Sequence, residues 1–520
     1  MVAKSTATLK LRQANSEGVV AFMDRTPQGG TEVGIGEDTA PLIIGGMSWI
    51  VQIQNMVDAA NTEGEKETWK KQSIYRVPAC VKNLNPHAYT PQLVSFGPYH
   101  HGGEHLTPME EHKQRSLVHF IKRSEKQLRS FVEEMEKVEQ QLMDAYDRLD
   151  YEWRLRLKEG GQFLQLMIMD GCFMLEIMRF TLDSTTAAAP AAAGGTTNAE
   201  SKYKDYGSND PIFSSHGVLN VVPYIQRDML MLENQLPLLV LDKLVAVESG
   251  KLNSTNDEAI NRMVLRFFAQ PHVVAPLGLH PLDVYRRSKL HGPSMSKGSP
   301  HKKQKKDGKK EGEVDIIRSA MELNEAGVRF KRSRSGSLRD IHFKGGVLSL
   351  PVVVVDDLTE YMLLNLMAFE RLHVGAGNDV TSYVFFMDNL IDSAKDVSLL
   401  NSKGIIHNAV GSDKAVAKLF NTLSKDVSPD PESSLEDVHH RVSSYCQKSL
   451  NMWRANLVHT YFRNPWAFLS LAAAVFLLVL TVAQTVFSVL QWSQGLSGDE
   501  GSTPPPPPPF LAPSMSPAPR

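Results

Sequence analysis

Between Arg463 and Asp499 the chain carries no charged side chain, and within that gap residues 466–490 read WAFLSLAAAVFLLVLTVAQTVFSVL, with Gln484 the one amide. A hydrocarbon core of about 30 Å takes about 20 helical residues, so this run crosses a bilayer with room to tilt. Trp466 and Trp492 stand near its two ends, where interfacial aromatic belts form. The competing reading is a core helix of a soluble protein, but those seldom run this long without a charge. Whatever the rest of the chain folds into, it is expected to hang from one membrane helix.

The flanks set an orientation. Arg454, His459 and Arg463 precede the span; Asp499 and Glu500 follow it, and no cation occurs again until Arg520. Positive charge stays on the cytoplasmic side, so the large N-terminal part is expected in the cytosol, at the plasma membrane, with a short tail outside. The opening residues MVAKSTATLKLRQANSEG contain no apolar signal core. Residues 40–53 (APLIIGGMSWIVQI) are interrupted by Gly45 and Gly46. The expected topology is single-pass with a C-terminal anchor.

Composition then narrows the function classes. The 520 residues hold 56 Lys+Arg against 58 Asp+Glu, a formal charge of −2, which argues against a generally basic nucleic-acid binder. Cys80, Cys172 and Cys446 are too few for a disulfide framework and suit a reducing compartment. Residues 1–70 lack sustained periodicity and read as a mobile leader with one short helix near residues 48–60. Residues 184–201 (STTAAAPAAAGGTTNAES) and 292–313, which include HKKQKKDGKK, read as low-complexity insertions. The lysine-rich run is either a solvated loop or a patch for anionic lipid or nuclear import. Residues 491–520 end in a Pro-rich tail suited to polyproline II.

The remainder, residues 74–460, is helical in pattern. Thr107-Pro108-Met109-Glu110 has the form of a helix start: a Thr cap, Pro in the first turn and Glu three residues after the cap. The helix it opens is expected to run to about Leu149. Ile121, Ser124, Leu128, Phe131, Met135, Val138, Leu142, Ala145 and Leu149 form a coiled-coil-like stripe along it. That stripe serves either an intramolecular core or self-association through residues 127–149. FLQLMIMDGCFMLEIMRF (163–180) and residues 221–247 read as apolar core helices. VLSLPVVVV (347–355) reads as a strand, with Gly345-Gly346 turning it back on residues 340–343 as a hairpin, and residues 357–370 return to helix. The expected fold class is mainly α: a large helical globular domain with a minor β-hairpin, plus one C-terminal transmembrane helix.

His100, His101, His105 and His112 lie close together and imidazole binds zinc, but their spacing fits no standard site, and no cysteine is near. Asp170, Glu176, Asp228 and Glu233 interrupt apolar helices, where a buried carboxylate acquires a raised pKa and could serve as an acid or base. Arg179 and Arg227 are their expected structural partners. Cys172 sits mid-helix as a buried, inert thiol. Asn253-Ser254-Thr255 is a sequon that the expected topology leaves unused. The serines of RSRSGS (332–337) are either a flexible phosphorylation target or an ordinary polar loop. No Gly-x-Ser-x-Gly, Walker A, Gly-x-Gly-x-x-Gly or His-Glu-x-x-His motif occurs. No catalytic, cofactor-binding or metal residue is therefore assigned, and the chain is expected not to be an enzyme.

IYRVP (74–78), YTPQLVSFGPYHHG and HLTPMEEHKQRSL closely resemble the opening signature of the plant family called "domain of unknown function 247". The resemblance continues through FLQLMIMDGCFMLEIMR, RDMLMLENQLPLLVL, AGVRFKR, LSLPVVVVDDLTEYMLLNLMAFER and VTSYVFFMDNLIDSAKDVSLLNSKGII, and ends in YFRNPWAFLSLAAAVFLLVLTVAQTVFSVL. It implies a plant single-pass membrane protein of no established catalytic activity, and it carries over no functional residue. Some grass members of that family are associated with pollen-side determination in self-incompatibility. The expected function is recognition or signalling through protein–protein contact with an unidentified partner. The rival is a membrane-tethered hydrolase or transferase using carboxylates such as Asp170 or Glu233.

Overall fold

The computed structural model describes residues 48–59, 66, 69–83, 85–155, 161–187, 203, 205–251, 257–270, 276–292, 318–425, 434–449, 451, 454 and 465–496. The rest of the leader and tail, most of both insertions and Asn253 lie outside the described residues. Two units divide the chain, residues 1–62 and 63–520. Of the first, the helix Ser48–Ala59 is described, with Trp49, Ile50, Ile53 and Met56 exposed on it.

The second unit is built around the helix Gln162–Ala187. Its residues Met167, Cys172, Phe173, Met174, Leu175, Ile177 and Met178 are all fully buried, as an apolar helix without a polar face must be. Helices Thr107–Ser124, Leu238–Ser249 and Asp257–Phe267 pack around it. At Gly171 the contact with Leu238–Ser249 is closest. A Cβ there would stand 2.6 Å from Leu244 Cδ1 and 2.7 Å from Val240 Cγ1, so the glycine sets the approach. In the C-terminal half, helices Thr359–Leu372, Asp379–Leu390, Ala394–Ser402 and Asp413–Leu423 pack together. One continuous apolar core runs through the unit from Ile74 to Cys446.

Strands are short. β1 (Arg329–Arg332) lies parallel and β2 (His342–Lys344) antiparallel to β3 (Val347–Leu350), giving the order β1-β3-β2. The hairpin closes at Gly345 and Gly346, both with positive φ. The strand expected over residues 347–355 is two strands. Pro351, which has no N–H to donate, ends β3, and β4 (Val353–Val355) pairs with β5 (Ile406–Asn408) in a second sheet.

Two long helices also divide. The expected 107–149 helix stops at Ser124, where Glu125 turns left-handed (φ 54°), and resumes as Leu128–Glu136 and Glu139–Asp144. Phe131, Met135 and Leu142 of its stripe are buried in the intramolecular core, so no continuous coiled-coil seam exists there. The expected 221–247 helix is Val222–Met229 and Leu238–Ser249, because Pro237 cannot occupy a helix interior. Nor does Thr107 cap its helix. The 3-10 turn Glu104–Leu106 runs straight into it, and Thr107 already has helical angles.

The helix Pro465–Leu496 contains a stretch, Leu469–Ser493, long and apolar enough to cross a membrane and unburied by the rest of the chain. Trp466 and Trp492 are exposed near its ends.

Candidate functional site

The suspected carboxylates lie in the polar interior of the domain, and each holds backbone or a cation. Asp170 pairs with Lys113, both fully buried, at 2.8 Å, and accepts from Gly97 N at 2.8 Å. Lys113 Nζ also reaches Glu110 (2.7 Å) and the Ser95 hydroxyl (3.1 Å). Burial pushes the Asp170 carboxyl up against the pull of Lys113. Asp228 Oδ2 accepts from the amides of Gln92, Leu93 and Val94, with Arg227 3.3 Å from its other oxygen. Burial nonetheless raises its pKa. Glu233 accepts from Val77 N and Lys82 Nζ, each at 2.7 Å, with His100 Nε2 at 3.3 Å. Burial alone would raise Glu233, but these neighbours outweigh it and hold the carboxyl below the usual range. Glu176 is bound by Arg123 and the Tyr206 hydroxyl, while Arg179, its expected partner, forms a two-pronged pair with Glu248.

These contacts share a purpose. Residues 91–97 form neither helix nor strand, and most of them are buried, so their amides need other acceptors. Asp228, Asn234 and Asp170 supply them, Asn234 Oδ1 accepting from Phe96 N at 2.7 Å and its amide donating to Val94 O at 3.0 Å. Gln235 in turn accepts from Leu282 N, and Asn365 from Leu232 N. The polar residues between Asp228 and Gln235 stitch three remote segments together.

The four histidines go to separate partners: His100 to Glu233, His101 edge-on to Trp153, His105 to Pro91 O, and His112 to Arg115. Among the described residues no group of three metal-capable side chains forms. Cys172 is fully buried and its thiol is pushed up by burial. The RSRSGS serines are not loose. Ser335 donates to Asp340 at 2.7 Å, Ser333 to Ser335 O, and Ser337 is buried.

None of the suspected carboxylates lines either of two cavities formed among the described residues. An open recess of about 560 Å³ holds Arg179, Arg262, Arg266, Asp183 and Glu248. The second, about 400 Å³, is more enclosed and more apolar, with Leu230, Phe268, Val353 and Met362 on its walls and Lys289 and Tyr383 among its polar groups. Sequence reading missed this one. Lys289 closes a helix, Pro281–Leu290, whose DVYRRSKL looks like a solvated surface, yet most of that helix is buried.

A family model described as "Plant protein of unknown function", DUF247, matches residues 74–480. The chain belongs to the DUF247 family. The UPF0481 protein At3g47200 of Arabidopsis thaliana is 33% identical over 83% of this chain and 89% of its own length. The putative UPF0481 protein At3g02645 of the same plant is 23% identical over 85% and 94%. No solved structure matches the chain. The DUF247 match opens at Ile74, whose carbonyl accepts from Asp147 N at 2.8 Å, and closes inside the apolar helix Pro465–Leu496. The DUF247 match thus takes in the stitched interior and the first part of the candidate span.

Proposed function

We propose that this chain is a membrane-anchored recognition or signalling protein that acts through protein–protein contact, with its large domain in the cytosol at the plasma membrane, and that it is not an enzyme. The observation that carries this reading is the exposed apolar helix attached to a domain whose interior carboxylates are taken up by backbone amides and cations. Those groups hold segments together and line neither of the two cavities, which favours a structural role for them over a hydrolase or transferase built on Asp170 or Glu233. The cation-rich flank at Arg454, His459 and Arg463 supports the orientation. The pollen-side role associated with some grass members is the first setting in which to test it.

Proximity labelling from the full chain in sealed pollen and leaf membranes tests the partner, and protease added to the same vesicles tests the side. A reproducible set of cytosolic protein neighbours, with the large domain digested, is the expected result. Protection of the large domain overturns the orientation, and labelling no richer than that of an unrelated single-pass protein overturns the recognition reading.

A further inference from the structure

The 400 Å³ cavity lies where elements from the middle of the chain converge. Leu230 follows the helix Val222–Met229, Phe268 follows Asp257–Phe267, and Lys289 belongs to Pro281–Leu290. Val353 comes from β4, Met362 from Thr359–Leu372 and Tyr383 from Asp379–Leu390. Its volume is within the range of small-molecule sites, about 300–1,000 Å³, and its walls mix apolar side chains with polar and charged ones, Arg227, Asp356 and Lys289 among them.

One of those polar groups lacks a hydrogen-bond partner and another lacks an ion-pair partner, in a place where that is costly. The Tyr383 hydroxyl is buried without a hydrogen-bond partner, in a side chain 1% exposed. Lys289 Nζ lies over the Tyr285 ring at 5.2 Å, and among the described residues no carboxylate is within ion-pairing reach of it. Burial lowers its pKa, and Asp356, which lines the same cavity outside ion-pairing reach, opposes that. The Oδ1 of Asp356 is already occupied by the Thr359 hydroxyl (2.7 Å) and Leu358 N (3.1 Å). A half-buried ammonium without a counter-ion is an unfinished ion pair, and an orphaned hydroxyl beside the same cavity is an unfinished hydrogen bond.

We infer that this cavity is a binding site for a small, mainly apolar molecule carrying one carboxylate. The carboxylate supplies the missing anion for Lys289 and the acceptor for the Tyr383 hydroxyl, and the apolar body fills the space between Leu230, Phe268, Val353 and Met362. A primary amide of the same shape keeps the acceptor and loses the charge, so it binds more weakly. Binding here goes beyond protein recognition and does not depend on it.

The test is calorimetric titration of the full chain in nanodiscs, with empty nanodiscs subtracted. The probes are 4-phenylbutyrate and 6-phenylhexanoate, each beside its primary amide. The expected result is saturable one-site binding of at least one acid, about tenfold tighter than its amide, a gap of about 1.4 kcal/mol. Lys289→Met abolishes that preference. Tyr383→Phe weakens the acid several-fold while leaving the unfolding temperature unchanged or raised, because it deletes an unsatisfied hydroxyl. If neither acid saturates a site, or acid and amide bind equally, or the acid binds Lys289→Met and Tyr383→Phe as it binds the parent, the inference fails.

Discussion

Replacing Lys113 by methionine isolates the tightest electrostatic commitment in the fold. The side chain is fully buried, with its ammonium 2.8 Å from Asp170, 2.7 Å from Glu110 and 3.1 Å from the Ser95 hydroxyl. Methionine keeps most of the volume and removes the charge. Asp170, equally buried, is then left with the Gly97 amide as its one remaining donor. Breaking a buried pair from one side costs about 3–5 kcal/mol, a third or more of the stability of many domains. Burial already raises the Asp170 carboxyl, and losing Lys113 raises it further. A carboxyl with a raised folded pKa gives its stability fully below the unfolded value and loses it as pH climbs through the folded one. The Lys113→Met deficit should therefore be full at pH 8 and shrink toward pH 4. Adding Asp170→Leu should recover most of it at pH 8 by removing the stranded charge. Urea unfolding of the full chain in nanodiscs, followed by circular dichroism, gives all three values. A single mutant within about 1 kcal/mol of the parent at pH 8, or a double mutant no more stable than the single, would refute the reasoning.

Two further perturbations probe other links. His280 caps the helix Pro281–Leu290, its Nδ1 accepting from Asp283 N and its Nε2 facing Ser73 O at 3.0 Å, and full burial lowers its pKa from 6.5 to about 4 against the opposing pull of Asp283 and Ser73 O. With a lowered folded pKa, that contribution is present above pH 6.5 and is lost as pH falls toward 4, worth about 3 kcal/mol over the interval. Midpoints against pH should fall more steeply for the parent than for His280→Asn, which keeps a capping oxygen but cannot titrate, and parallel slopes would show that His280 does not govern the acid limb. At the helix crossing, Gly171→Ala should cost about 1–3 kcal/mol by overpacking Leu244 and Val240. Val240→Ala in the same chain should return part of it, and simple additivity of the two losses by thermal unfolding would mean they do not share that space.

How much of this was legible depends on which force sets each element. The span needed only length and absence of charge, and the apolar 163–180 stretch needed only its lack of a polar face. The hairpin at Gly345-Gly346 was legible because positive φ leaves a signature in residue choice. The end of the Thr107–Ser124 helix left none: RSEKQL contains neither glycine nor proline, and the break at Glu125 is imposed by how Leu128–Glu136 packs into the core. Periodicity saw the right inward face and could not see that its axis turns. Pro237 and Pro351 were visible breakers, but the apolar runs around them carried the pattern across.

The polar residues of the interior show why sequence alone points to chemistry where the fold uses structure. A carboxylate in an apolar run announces burial, and burial demands a partner, but the partner is remote: Asp228 serves amides at 92–94, Glu233 serves Val77 and Lys82, and Asp170 serves Gly97 and Lys113. Those separations are invisible to any local motif. The converse holds at the cavity. Lys289 stands in a run of charged residues that looks like solvent-facing helix, and Tyr383 in one that looks like core, so neither attracts notice until the fold sets them against the same empty space. A polar group with its bonds complete is part of the scaffold, whereas one left incomplete beside a cavity is where a ligand has something to contribute.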